Sequence, residues 1–81
     1  MNYRAEAELY HRLSRSLRQR APLAYKRFKT AADAIRFAIE QLPDYLLPGS
    51  HLEVDEERYD SEEIRRLYDS EAYPLKRRAR L

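Results

Sequence analysis

The sequence predicts a small α+β domain of three helices and a two-stranded sheet, in the order helix, strand, helix, strand, helix. Three observations predict it. Eighty-one residues suffice for one domain and leave little for a second. Apolar residues return at helical spacing over residues 3–20, 30–42 and 60–70. They alternate, or nearly so, over 23–29 and 51–57, the period of a strand. The single domain is expected to span 1–70, with 71–81 a basic and loosely held tail.

The first expected helix, 3–20, rests on Leu9, Leu13 and Leu17 at four-residue spacing, joined by Tyr3 and Tyr10. Arg4, Arg12, Arg15 and Arg18 would then line its wet side, and Pro22 would end it. Residues 23–29 follow as a strand with imperfect alternation: Leu23 and Tyr25 on one face, Ala24 and Phe28 on the other. An edge position suits that pattern. Thr30 opens the second helix as an N-cap, with Asp33 in its first turn. Ala31, Ala34, Ile35, Ala38, Ile39 and Leu42 make its apolar stripe, and Pro43 stops it. The connection Asp44 to Gly49 is bounded by two prolines and a glycine. In the second strand Leu52 and Val54 point one way, and His51, Glu53, Asp55 and Glu57 the other. Asp60 caps the third helix, and Glu63 three residues on completes a capping box. A strand-helix-strand unit would set the two strands side by side, parallel through a right-handed crossover or antiparallel through the long connection. The expected core is Leu9, Leu13, Leu17, Tyr25, Phe28, Ile35, Ala38, Ile39, Leu42, Leu52, Val54, Ile64 and Leu67.

Composition removes several chemistries. Cysteine is absent, so disulfides, thiolate metal sites and cysteine nucleophiles are excluded together. The lone glycine, Gly49, rules out a glycine-rich phosphate loop. No apolar run approaches the length of a membrane span or a secretory segment, and the cytoplasm is the expected address. His11 lies among arginines with no nucleophile to serve. Ser14, Ser16 and Ser50 show no elbow or lysine pairing. About eighty residues leave little room for a concave catalytic site, so no enzyme activity and no cofactor are expected. The row His51, Glu53, Asp55, Glu57 could share a hard cation, but a flat array without a calcium-loop pattern reads as a solvated face; no metal site is expected.

The net charge of +2 conceals segregation. Residues 1–30 carry eight Lys/Arg against two Glu, 31–75 carry four Arg against twelve Asp/Glu, and 76–81 carry four basic residues and no acidic ones. A chain with basic ends and an acidic middle either neutralises itself internally or attracts a copy of itself at low salt. Two kinds of partner follow. A protein partner or second copy would use some of the seven tyrosines, with Tyr45, Tyr59 and Tyr68 beside acidic segments as the interface candidates. Nucleic acid would use Arg4, Arg12, Arg15, Arg18, Lys26, Arg27 and Lys29, then Lys76, Arg77, Arg78 and Arg80 in the tail, with Tyr25 and Tyr73 to stack on bases. Self-association or a protein partner is the leading expectation, nucleic acid the alternative, and no membrane partner is expected.

The stretch from Arg27 to Glu40, with Leu52 to Asp60 and Ile64 to Ser70, resembles short bacterial proteins of unassigned function across residues 27–75. That resemblance implies a bacterial cytoplasmic protein and transfers no functional residue. Residues 24–42 are also similar to the strand-then-helix opening of ribbon-helix-helix repressors. They depart from it where a second helix should follow, because 51–57 alternate like a strand.

Overall fold

Among the described residues, four short strands and two α-helices follow one another as β1 (Ala7–Arg12), β2 (Leu23–Phe28), α1 (Ala31–Arg36), β3 (His51–Val54), β4 (Glu57–Asp60) and α2 (Ser61–Asp69). The computed structural model describes residues 1–12 and 23–77. All strand pairs are antiparallel and the sheet order is β2-β1-β3-β4. The expectation of a two-stranded sheet and three helices is therefore corrected, among the described residues, to a four-stranded sheet and two α-helices.

The largest correction falls on residues 7–12, expected as helix and found as one of the two inner strands. Ala7 and Leu9 alternate with Glu8 and Tyr10 as readily as they fit a helical stripe. Helix propensity is a weak prior that tertiary pairing overrides. As a strand, this segment pairs with β2 from Ala7↔Phe28 to Arg12↔Leu23, and with β3 from Ala7↔Val54 to Tyr10↔His51. Two strands alone would be marginal in water, and β1 joins two hairpins into one sheet. Leu13, Leu17, Arg15 and Arg18 lie outside the described residues. β2 and β3, expected as neighbours, run parallel with β1 between them.

The second strand expectation is corrected too. Residues 51–57 form a hairpin, with Asp55 and Glu56 as its two-residue turn at φ 50° and 68°. Paired positive φ values suit the right-handed twist of the flanking strands. The turn sets Glu57 opposite Val54, on the side away from His51 and Glu53.

Helix starts are where sequence placed them. Thr30 Oγ1 accepts from Asp33 N–H (3.1 Å). At α2 Asp60 accepts from Glu63 N–H (2.8 Å) while Glu63 accepts from Asp60 N–H (3.1 Å). Beyond α1 the residues Phe37–Gln41 widen to π geometry, and Leu42 N–H donates to Phe37 C=O five residues back (3.1 Å). Among the described residues each half of the chain thus runs strand, strand, capped helix. The β1–β3 pair lies between the halves, giving the sheet an approximate two-fold arrangement.

Both helices cover one face of the sheet. Ala7, Leu9, Leu52 and Val54 meet Ala31, Ala34, Ile35, Ala38, Ile64 and Tyr68 there. Leu9, Ile35, Leu52 and Ile64 are fully buried. The alanines of α1 permit its close approach to the strands. Of the expected core, Phe28, Ile39 and Leu67 are partly buried against the cluster, and Tyr25 is a correction at 52% exposed. Tyr73 packs into the core from beyond α2 and donates to Ala32 C=O (2.9 Å). Arg77 donates to Tyr68 C=O (2.6 Å) and to Ser70 C=O, satisfying carbonyls at the end of α2.

Candidate interaction site

The second face of the sheet carries no helix among the described residues. Directly opposite residues share a face, so the register sets three rows across it. Arg27, Glu8, Glu53 and Arg58 form one, Tyr25, Tyr10, His51 and Asp60 the next, and Leu23 and Arg12 the last. The middle row is an aromatic strip. The Tyr25 and Tyr10 rings lie 5.2 Å apart and tilted, and Tyr10 stacks on His51 at 4.6 Å. Such ring pairs add stabilisation beyond the area they bury. Leu23 and Tyr25 are exposed at the β2 end.

Carboxylates set the electrostatics of this face. Glu8 accepts from Tyr10 Oη (3.4 Å), and Glu53 lies 3.3 Å from His51 Nε2 and 3.7 Å from Arg58. The Tyr10 phenol is raised by loss of water contact, then by the charges of Glu8 and Glu53. Tyr25 is raised first by its hydrogen bond to Glu8. Arg27 is held charged by its 2.6 Å bond to Glu6.

The two sheet edges differ in sign. β2 and the residue after it carry Lys26, Arg27 and Lys29, with no acidic side chain. The β4 hairpin carries Asp55, Glu56, Glu57 and Asp60 against one arginine, Arg58. The segregation read along the sequence thus becomes a polarity across the sheet. The ion pairs Arg27–Glu6, Arg36–Asp33 (3.1 Å), Arg58–Glu53 and His51–Glu53 each join partners within one charge segment.

The basic candidates are dispersed. Arg4 sits in the turn before β1, and Arg12 at the end of β1. Lys26 lies on the helix-covered side, its ammonium 4.3 Å from the Phe37 ring centre and 5.4 Å from that of Phe28. Arg27 is on the open face, Lys29 in the turn before α1, Lys76 beyond α2, and Arg77 against Tyr68 and Tyr73. Arg78 and Arg80 lie outside the described residues.

Of the tyrosine candidates, Tyr45 is exposed on the Asp44–Leu46 turn, and Tyr59 on β4 donates to Glu57 (2.8 Å), which raises its phenol. Tyr68 is a core residue at 1% exposed, donating to Glu40 (2.6 Å). Sequence reasoning missed the Tyr10–His51 contact, because reading 7–12 as helix separated those residues.

Among the described residues, no group of three metal-ligating side chains comes together. Ser50 is buried and donates to Leu47 C=O (2.6 Å). A groove of about 580 Å³ runs between residues 44–48 and α2, with Asp44, Ser61, Glu62, Arg65 and Asp69 on its walls. No described helix is long and apolar enough to cross a membrane. No family model, curated protein or solved structure matches the chain.

Proposed function

We propose that this protein is a non-catalytic interaction module that associates with copies of itself. The observation that supports the reading is the opposite charge of the two sheet edges: basic at β2, acidic along the β4 hairpin. A molecule polarised in this way attracts its own copies in head-to-tail orientation and repels them in the reverse one. Sedimentation across micromolar concentrations tests it, at about 0.05 M and about 0.5 M salt. Mass-action association that weakens at the higher salt is expected. A strict monomer at every concentration in low salt overturns the reading.

The aromatic strip favours a second reading, single-stranded nucleic acid. Residues 12–29 hold seven Lys/Arg and no Asp/Glu, and Tyr25 and Tyr10 of the strip stand at the β2 side of the sheet. Bases would stack on the rings while arginines contact phosphates. The carboxylates Glu8, Glu53 and Asp60 on the same face oppose phosphate, which ranks this reading second. Fluorescence anisotropy with a labelled single strand at two salt concentrations decides it. Salt-sensitive binding that Tyr25→Ala weakens supports it, and binding indifferent to Tyr25→Ala removes it.

A further inference from the structure

We propose that copies of this chain join by direct strand pairing, β2 of one copy hydrogen-bonding antiparallel to β4 of the next, so that the four-stranded sheet continues from molecule to molecule. The inference rests on the self-association proposed above and names the surface that carries it. Among the described residues β2 and β4 are the two ends of the sheet, and each presents a row of outward backbone N–H and C=O groups. Strand direction alternates across an even number of strands, so β2 and β4 run oppositely. A copy translated along the sheet therefore presents β2 antiparallel to β4, with its helices on the same side as those of its neighbour.

Charge selects this arrangement over the symmetric ones. A β2–β2 pair would bring together two sets of Lys26, Arg27 and Lys29. A β4–β4 pair would bring together two sets of Asp55, Glu56 and Glu57. The side chains that deter each edge from pairing with its own kind make the two edges complementary to one another.

Side-chain period then limits the register, and charge chooses within that limit. Open-face residues must meet open-face residues, so β2 and β4 can slide only in steps of two. One step sets Arg27 against Arg58 and Phe28 against Glu57. The neighbouring step sets Lys26 opposite Glu57, Tyr25 opposite Arg58, Ala24 opposite Tyr59 and Leu23 opposite Asp60, with Glu56 beyond Glu57 facing Arg27. All four residues of β4 are then paired, the lysine meets a carboxylate, and the guanidinium lies over an exposed ring.

The test uses the full chain, whose lack of native cysteine leaves introduced thiols unambiguous. Tyr25→Cys and Arg58→Cys variants are mixed in equal amounts under mild oxidation, and the cross-links are identified by mass spectrometry. Directly opposed strand residues bring their Cα atoms within disulfide range. The mixed 25–58 disulfide is expected to exceed either self-disulfide several-fold. Dominant 25–25 or 58–58 bonds, or a statistical mixture, overturn the inference.

A charge swap gives an independent readout in sedimentation. Lys26→Glu alone and Glu57→Lys alone should each weaken association by about tenfold or more. Mixing them should restore it, because every junction in the mixture can then oppose unlike charges. Circular dichroism establishes that each variant is folded, and should one unfold, the cysteine pair alone decides. Association of the unmodified chain without the mixed disulfide removes strand pairing and leaves self-association standing; a strict monomer removes both.

Discussion

Glu56 is the clearest case of local strain in this protein. Its φ of 68° lies in the left-handed region, where a β-carbon crowds the following carbonyl. Glu56→Gly should raise unfolding free energy by about 0.5–1 kcal/mol, relief of that crowding exceeding the entropy glycine adds to the unfolded chain. Urea denaturation measures it. Gly49 is the converse, at φ 89°, and a β-carbon there would stand 2.7 Å from Arg12 Nε. The arginine side chain can step aside, so the cost of Gly49→Ala, about 1 kcal/mol, comes from the backbone. Tyr73 supplies a pH dependence. Burial raises its phenol from 10.0 to about 12. Below pH 10 the phenol is neutral in folded and unfolded chains alike, and its contribution is complete. Between pH 10 and 12 only the unfolded chain ionises, so stability falls by about 1.4 kcal/mol per pH unit from this group. Alkaline melts should show that extra loss in the natural chain and not in Tyr73→Phe. Neither the turn at Asp55-Glu56 nor the burial of Tyr73 was legible in sequence. The turn lacks the Asn-Gly or Asp-Gly signal, and an aromatic beyond a helix end reads as easily as tail.

Among the elements, helix starts were the most legible. Thr30 with Asp33, and Asp60 with Glu63, satisfy orphan amides through side chains three residues apart, a purely local chemistry. Asp60→Ala should cost about 1 kcal/mol by removing the acceptor of Glu63 N–H, read as a lowered melting temperature. The strands were less legible. β1 fits both periods: Ala7 and Leu9 suit a strand face, and Leu9 with Leu13 just past the strand suits a helix. The deciding contacts, of Ala7 with Phe28 twenty-one residues on and of Leu9 and Ala7 with Leu52 and Val54 beyond α1, are invisible to any local window. β3 and β4 merged in sequence because charged residues at 53, 55 and 57 continue the alternation through the turn.

At the scale of the whole molecule, one thin layer of apolar contacts between the sheet and two helices supports everything else. Leu9→Ala or Ile35→Ala removes a fully buried side chain and should cost about 2–5 kcal/mol. Small domains hold only about 5–15 kcal/mol in total, so chemical denaturation should show a large share of the native stability gone. The same thinness leaves the second sheet face and both edges to solvent among the described residues. The polarity of those edges carries the proposed self-association, and the aromatic strip between them the reading ranked second.

Sequence by itself determined the two capped helices, the existence of β2, the α+β class and the division of charge into basic and acidic segments, because each depends on residues within one or two turns of chain. Tertiary structure alone decided that residues 7–12 are an inner strand, that Tyr10 stacks on His51, and that the basic and acidic strands stand at opposite ends of one sheet. Those facts depend on pairings between distant segments, whose free energy is shared by both partners and written in neither.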